Sequence, residues 1–389
     1  MQKTFTGIDI GTDYVKVIIA APPQSTDAPL QILATATSPS KGVRKGYVTE
    51  PRDAAHAIRD AVARAAQAAR VSVRSARVSV GGISLEEVTS GAEITLTASG
   101  GVVGHHDIER VLAESEKRAS GRLTNRVVVH TIPLEFRIDG NPILGRPLGL
   151  QGTKLSVDTL LITILAQHHD DCIEAVEGAG IEVEGVMASP LAASLAILTK
   201  AQKTAGVCLA NMGAETLSLV VFDNDRPVSL KVFPVGSADI THAIALAFQI
   251  PLPEAEQLKR GAVTGSSVAP AKLNSVIAAQ LKTLFGLVNA HLKVLKRDRL
   301  LPAGIVLTGG GASLGAAVDV ARATLKLPAQ IGLPAMSARV SPLDATWAAA
   351  LGLCRWGYVE ARVSVQRPLG DLSRAMMDGI RSLFRSFLP

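Results

Sequence analysis

Two stretches of this chain, one near its start and one opening its second half, share a pattern that few folds accommodate. The first is Phe5-Thr6-Gly7-Ile8-Asp9-Ile10-Gly11-Thr12-Asp13, running on into Tyr14-Val15-Lys16-Val17-Ile18-Ile19. The second is Gly206-Val207-Cys208-Leu209-Ala210-Asn211-Met212-Gly213-Ala214-Glu215-Thr216, running on into Leu217-Ser218-Leu219-Val220-Val221-Phe222. Each reads as strand, Asp or Asn, one apolar residue, Gly, a polar tip and a second strand. Such a β-hairpin exposes backbone N–H groups at its glycine tip, where they can wrap a phosphate. A plain hairpin with a turn glycine is the alternative for one copy, but two copies favour a duplicated domain clamping one nucleotide.

The remaining patterns fit that duplication. Residues 31–36 suit a third strand, 53–69 an Ala-rich helix with Ile58 and Val62 on one face, and 78–82 a strand ending in a turn. This β-β-β-α-β order is that of a ribonuclease-H-like half-domain. Residues 83–160 break it with strand-like alternation at 92–97, a helix at 106–120 and strands at 126–131 and 134–138, read as an inserted α+β subdomain. The main fold is expected to resume with a strand at 160–165 and helices at 169–179 and 190–199. In the second half, a strand at 228–234 precedes helices at 238–248, 251–261 and 272–296. A strand at 304–307 then enters Gly309-Gly310-Gly311 and a helix at 314–325, and a helix at 344–358 is expected to cross back to the first half.

A chain of 389 residues holds about two domains, each large enough for a core. Aromatic residues make up only 3%, so that core is built from Ala, Val, Leu and Ile. The net charge of +6 is scattered and lacks interleaved aromatics for base stacking, which argues against a nucleic-acid partner. A mild basic excess suits an anionic membrane surface equally well. Cys172, Cys208 and Cys354 lie far apart in apolar surroundings, a usage that points to a reducing cytosol. No leader pattern and no uninterrupted apolar run of about 18 residues is present, so a cytosolic chain is expected unless something attaches it to a membrane.

Candidate site residues follow from these motifs. Asp9 is placed to hold Mg²⁺ through water, Gly11 lets the backbone approach phosphates, and Thr12 offers a hydroxyl. Asp13 and Lys16 complete the first hairpin's set, and Asn211, Gly213 and Ala214 form the second's. The Gly309-Gly310-Gly311 turn could seat an anion at a helix N-terminus and cover base and ribose, or serve only as a tight connection. Neither a Rossmann fingerprint nor a Walker loop is present. Glu256 and Lys259, three apart on a helix, could reach ribose and adenine or form a surface ion pair; both readings stand. The doublets His105-His106 and His168-His169-Asp170-Asp171 read as helix starts rather than metal ligands, because adjacent helical residues point apart.

The C-terminal segment carries a different signal. Leu372, Met376, Ile380, Leu383, Phe384, Phe387 and Leu388 fall on one helical stripe, with Arg374, Arg381 and Arg385 among the polar residues opposite. That pattern describes an interfacial membrane helix, the alternative being a helix docked on its own domain. Each apolar group offers at most about 1.5–3 kcal/mol, while ordering the segment costs roughly 1–2 kcal/mol per residue. One copy is therefore weakly held. Several copies on a polymer would bind far better, so the helix suits a protein that assembles.

These residues resemble the FtsA family of actin-like bacterial cell-division proteins over essentially the whole chain. The match rests on Gly7-Ile8-Asp9-Ile10-Gly11-Thr12, the stretch 42–48 (GVRKGYV), 130–139 (HTIPLEFRID) and 147–155 (PLGLQGTKL). Thr308-Gly309-Gly310-Gly311-Ala312 and the terminal helix complete it. The resemblance implies an α/β, actin-like fold of duplicated ribonuclease-H-like domains. The first actin-like subdomain would comprise 1–82, 161–203 and 336–362, and the second 204–236 and 303–335. A family-specific insert would occupy 83–160 and a helical subdomain 237–302, with a linker at 363–371 and a membrane-targeting helix at 372–389. It implies ATP and Mg²⁺ in the cleft, self-association into protofilaments, and a place on the cytoplasmic face of the cell membrane at the division site. Its implied partners are anionic lipid, other division proteins and the tail of the tubulin-like protein FtsZ, with Lys293, Lys296, Arg297 and Arg299 as tail contacts. Nucleic acid is not among them, and no residue is given a catalytic role.

One departure bears on activity. The family's second phosphate hairpin commonly reads Asp-Ile-Gly-Gly-Gly-Thr, whereas this chain has Asn211-Met212-Gly213-Ala214-Glu215-Thr216. Neutral Asn211 is a weaker partner for Mg²⁺-bound water, and Glu215 brings negative charge to the tip near phosphates. Nucleotide binding with very slow or absent hydrolysis is expected. The competing readings are a PilM-like adaptor of type IV pilus assembly and a small-molecule kinase of the same core, for which no candidate base can be placed.

Overall fold

The computed structural model describes residues 3–25, 28–97, 100–262, 268–334 and 343–365. The segment 372–389, on which the membrane reading rests, lies outside the described residues.

The first half begins with β1 (Phe5–Ile10) and β2 (Tyr14–Ala21), paired antiparallel with Ile10 opposite Val15, so that Gly11-Thr12-Asp13 forms the tip. β3 (Gln31–Pro39) adds antiparallel to β2. A small hairpin, β4 (Val43–Arg44) and β5 (Tyr47–Val48), follows where the sequence reading placed no strand. α1 (Pro51–Ala69) then buries Ala54, Ala57, Ile58, Ala61, Val62 and Ala65; its small residues let the helix lie close against the sheet. β6 (Ser75–Val80) runs parallel to β1.

The insert is a sheet of β7 (Glu86–Thr95), β8 (Arg126–Ile138), β9 (Asn141–Ile143) and β10 (Lys154–Leu165), with α2 (His105–Ala119) on one face. Its strand order is β7-β10-β8-β9. Val111 of α2 packs with Ala92, Phe136, Leu155 and Val157 in a small core of its own. Two expectations change here. The strands expected at 126–131 and 134–138 are one strand, whose register against β10 slips twice without breaking it. The run 160–165 does not resume the main sheet but completes β10, paired with β7 and β8.

The main sheet is instead completed by β11 (Glu182–Ala188), which follows α3 (Ala166–Gly178) and pairs parallel with β6. Its order is β11-β6-β1-β2-β3. α4 (Ser189–Ile197) and α5 (Lys200–Ala205) lead into the second half.

There β12 (Val207–Met212), β13 (Leu217–Asp223) and β14 (Arg226–Phe233) repeat the antiparallel trio. The helices α6 (Ser237–Phe248), α7 (Leu252–Lys259) and α8 (Pro270–Val294) stand together beside it. β15 (Ile305–Thr308), α9 (Ala317–Leu325) and β16 (Ala329–Ile331) close the second sheet in the order β14-β13-β12-β15-β16. The two sheets thus have one topology. α10 (Ala348–Val365) returns to pack on α4 and on β1 of the first half, and runs three residues into the stretch expected to be linker.

Candidate nucleotide-binding cleft

Because each β-hairpin leaves the centre of its sheet, the repeated topology brings both tips to one place between the halves. A cleft of about 1000 Å³ opens there. Asp9, Gly11, Thr12, Asp13, Lys16, Asn211, Gly213, Ala214, Glu256, Lys259, Gly309, Gly310 and Gly311 all line it. The two tips close alike. The Gly11 N–H donates to Tyr14 O at 3.2 Å, and the Gly213 N–H to Thr216 O at 2.8 Å.

Matched positions in the two sheets carry different groups. Asp9 stands in register with Lys16 on β2 and Ser79 on β6, and the Ser79 hydroxyl donates to Asp9 Oδ1 at 2.6 Å. Asn211 stands in register with Ser218 on β13 and Thr308 on β15. The first wall therefore carries a carboxylate and an ammonium where the second carries an amide and a hydroxyl.

Gly309 needs to be glycine. Its φ of +83° is strained for any side chain, and a Cβ there would lie 2.3 Å from Asn211 Oδ1. The turn after it is short: a 3₁₀ turn spans Gly310–Ser313, and α9 begins only at Ala317. No α-helix N-terminus follows directly, so of the two readings left open by the sequence the turn does not form the helix-terminus anion seat.

Glu256 and Lys259 are an ion pair at 2.7 Å, but not a surface one, because the Lys259 side chain is only 7% exposed. Lys259 Nζ also donates to Ser237 O at 3.0 Å and Thr241 Oγ1 at 2.8 Å, which fixes the ammonium on the cleft wall. Burial opposes the charge of Glu256. Hydrogen bonds from Lys259, Thr241 and Arg260 outweigh it and hold the carboxyl down to about 2. Arg260 in turn reaches across the cleft mouth to Asp13 Oδ2 at 3.7 Å.

Ser79, Thr241 and Arg260 were missed by the sequence reading. Arg260 could have been found, four residues after Glu256 on one helix face. Ser79 and Thr241 had no local signal, since topology alone sets them beside Asp9 and Lys259. The charge expected of Glu215 near phosphate is also displaced: it is not among the cleft-lining residues, and its Oε2 accepts the Lys45 N–H at 2.6 Å.

Away from the cleft, Lys293, Lys296 and Arg299 are exposed at the end of α8, whereas Arg297 already donates to Asp223 Oδ2 at 2.8 Å. His105 and His106 open α2, and His168 lies in α3 stacked on Tyr47 at 3.9 Å. Among the described residues no cluster of three or more His, Cys, Asp or Glu could hold a metal ion, and no helix is long and apolar enough to cross a membrane.

Residues 208–352 match the family model described as cell division protein FtsA, and 82–163 match that of the SHS2 domain inserted in FtsA. Cell division protein FtsA of Pseudomonas aeruginosa is 28% identical over 353 residues, covering 85% of this chain and 83% of that protein. The FtsA of Borreliella burgdorferi is 28% identical over 385 residues, covering 93% and 92%. Among solved structures, a PilM–PilN type IV pilus biogenesis complex aligns with TM-score 0.68 at 20% identity over 92% of this chain and 99% of that one. MreB5 of Spiroplasma citri bound to ADP aligns with TM-score 0.51 at 12% identity, covering 94% and 99%. At these identities the structural likeness shows the fold, which is actin-like. The two family models together span more than half of the sequence, and the full-length relatives carry the same name, so the chain belongs to the FtsA cell division family.

Proposed function

We propose that this chain is an ATP-binding, self-assembling division protein that tethers FtsZ filaments to the cytoplasmic face of the cell membrane through residues 372–389. The observation that carries the nucleotide part is the facing of two hairpin tips across one cleft whose further wall is the Glu256–Lys259 helix and the Gly309–Gly311 turn.

The cleft suits a nucleotide with its metal. Among the described residues, the Thr12, Asp13 and Ala214 amides donate to no other protein group, leaving them for phosphate oxygens. Asp9, oriented by Ser79, would hold the Mg²⁺ water shell, and Lys16 would face the phosphates. Gly309–Gly311, Glu256 and the buried Lys259 would contact base and ribose. Bound Mg²⁺ would neutralise phosphate charge. Asp9 would orient the metal's water shell, while the Lys259 ammonium stays almost fully buried.

Membrane tethering follows from the apolar stripe and arginines of 372–389, and self-assembly from the weak hold that one such helix provides. Lys293, Lys296 and Arg299 offer exposed positive charge to an acidic tail, Arg297 being engaged by Asp223. The test is sedimentation with anionic liposomes of the full chain and of a chain ending at Gly370, each with ATP and Mg²⁺. Pelleting of the full chain alone is expected; equal pelleting of both would remove the tether. Tail-peptide affinity unchanged by reversing the charge of Lys293, Lys296 and Arg299 would remove that contact.

A further inference from the structure

The hairpin β4–β5 is an arm of the first half. Its Val43 and Val48 are buried in that half's core, and its Tyr47 ring stacks on His168. Its tip reaches between the two phosphate hairpins. There the Lys45 N–H donates to Glu215 Oε2 at 2.6 Å, and the next amide, Gly46 N–H, donates to Thr12 Oγ1 at 3.2 Å. Consecutive amides of one tip therefore hold one residue from each half.

We propose that Glu215 is a positioning residue for nucleotide binding: it latches the second phosphate hairpin to the β4–β5 arm and so sets the separation of the two tips before nucleotide arrives. The inference rests on the nucleotide reading of the cleft. A carboxylate accepting a backbone N–H makes a charge-assisted bond, stronger than a neutral one, and this one spans the two halves. The Arg260–Asp13 bridge at the cleft mouth is longer at 3.7 Å and has both side chains more than half exposed, so it contributes less. The Arg44 guanidinium, 3.5 Å from Glu215 Oε1 and 79% exposed, adds little to the latch itself.

The latch predicts a sign opposite to that of simple charge repulsion. Were Glu215 a repulsive charge beside the phosphates, its removal would tighten ATP binding. As a latch, its removal leaves closure to be driven by the nucleotide, and apparent affinity falls by the fraction of closed molecules lost.

The experiment uses the full chain and its Glu215→Ala and Glu215→Gln variants. Amide exchange over residues 43–48 is followed with and without ATP and Mg²⁺, and ATP affinity is measured by calorimetry. Glu215→Ala is expected to speed Lys45 exchange at least about tenfold without nucleotide and to weaken ATP binding about three- to tenfold, the range of one lost hydrogen bond. ATP should leave the Lys45 amide unprotected in Glu215→Ala, because its acceptor is gone, and protected in the unmodified chain. Glu215→Gln keeps an acceptor oxygen but loses the charge, and should fall between the unmodified chain and Glu215→Ala on both readouts. Unchanged Lys45 exchange in Glu215→Ala, or tighter ATP binding by it, would overturn the latch. Failure of the unmodified chain to bind ATP would sink the nucleotide reading instead, and the exchange comparison would still decide whether Glu215 holds the tips together.

Discussion

His130 lies wholly inside the junction between the insert and the main sheet, where its Nε2 accepts the Ala188 N–H at 2.9 Å. Burial pushes the imidazole down to about 3, so it stays neutral in the folded chain. The unfolded chain has an ordinary histidine near 6.5. Above that pH neither state carries the proton and the contribution is complete. As pH falls from about 6.5 toward 3, only the unfolded state takes up the proton, and stability is lost. At pH 5 the loss attributable to His130 is about 2 kcal/mol, from 1.36 kcal/mol per unit. Half-buried Glu87, whose carboxyl is pushed up by desolvation, acts in the opposite direction, so the unmodified chain alone does not isolate the effect. Urea unfolding of the chain and of His130→Gln at pH 7 and pH 5 does. The variant keeps an acceptor for Ala188 and should lose about 2 kcal/mol less on acidification; parallel losses would show that His130 is not the group responsible. Nothing around His130 in the sequence announced this role. Asp9 and Gly11 were legible because a hairpin tip is a local pattern, whereas the partners of His130, Asp9 and Lys259 come from elements distant in sequence.

Helices α4 and α10 cross with almost no space between them. A Cβ on Gly352 would lie 1.7 Å from the Ala192 carbonyl oxygen, and the facing residues, Ala192, Ala193, Ala348 and Ala349, are all small and buried. α4 also packs on β12 and β13, so the crossing joins the two halves. Helix propensity and packing here predict opposite outcomes. Gly→Ala in a helix interior gains about 1 kcal/mol by propensity, while forcing a methyl into a closed contact costs typically about 1–3 kcal/mol or more. With backbone as the obstacle, packing wins, and Gly352→Ala should lower the unfolding free energy by at least about 1 kcal/mol in urea; a gain would show that the crossing can relax. The helices themselves were readable from composition, but their pairing was not. Strands show the same divide. The run Leu160-Leu161-Ile162-Thr163-Ile164-Leu165 announces a buried strand without saying which sheet buries it. The main sheet's edge strand β11, with Glu182 and Glu184 on its solvent side, has too little apolar sequence to stand out.

Across the whole molecule, duplication explains why one cleft exists, and the unequal copies constrain what it can do. The two sheets share one strand order, so Asp9 and Asn211 occupy equivalent places on opposite walls, as do Lys16 and Ser218. A cleft that drives phosphoryl transfer needs charge arranged around the reacting phosphate. Here, at the equivalent hairpin positions, only the first wall carries charge. The Asn211 oxygen occupies the space that a side chain at 309 would need, so Gly309 is what leaves room for the amide. Moving Glu215 out of the cleft removes one of the two sequence arguments against hydrolysis and leaves Asn211 as the other. Phosphate release by the unmodified chain should therefore stay far below about one per second, the lower end of ordinary enzyme turnover. Asn211→Asp keeps the shape and supplies the second carboxylate, and should raise Mg²⁺-dependent release at least about tenfold. Asn211→Ala removes the group and supplies no charge, and should raise nothing. Comparable rates in the two variants would mean that the amide is not what limits hydrolysis, and turnover near one per second in the unmodified chain would mean that the first wall suffices alone.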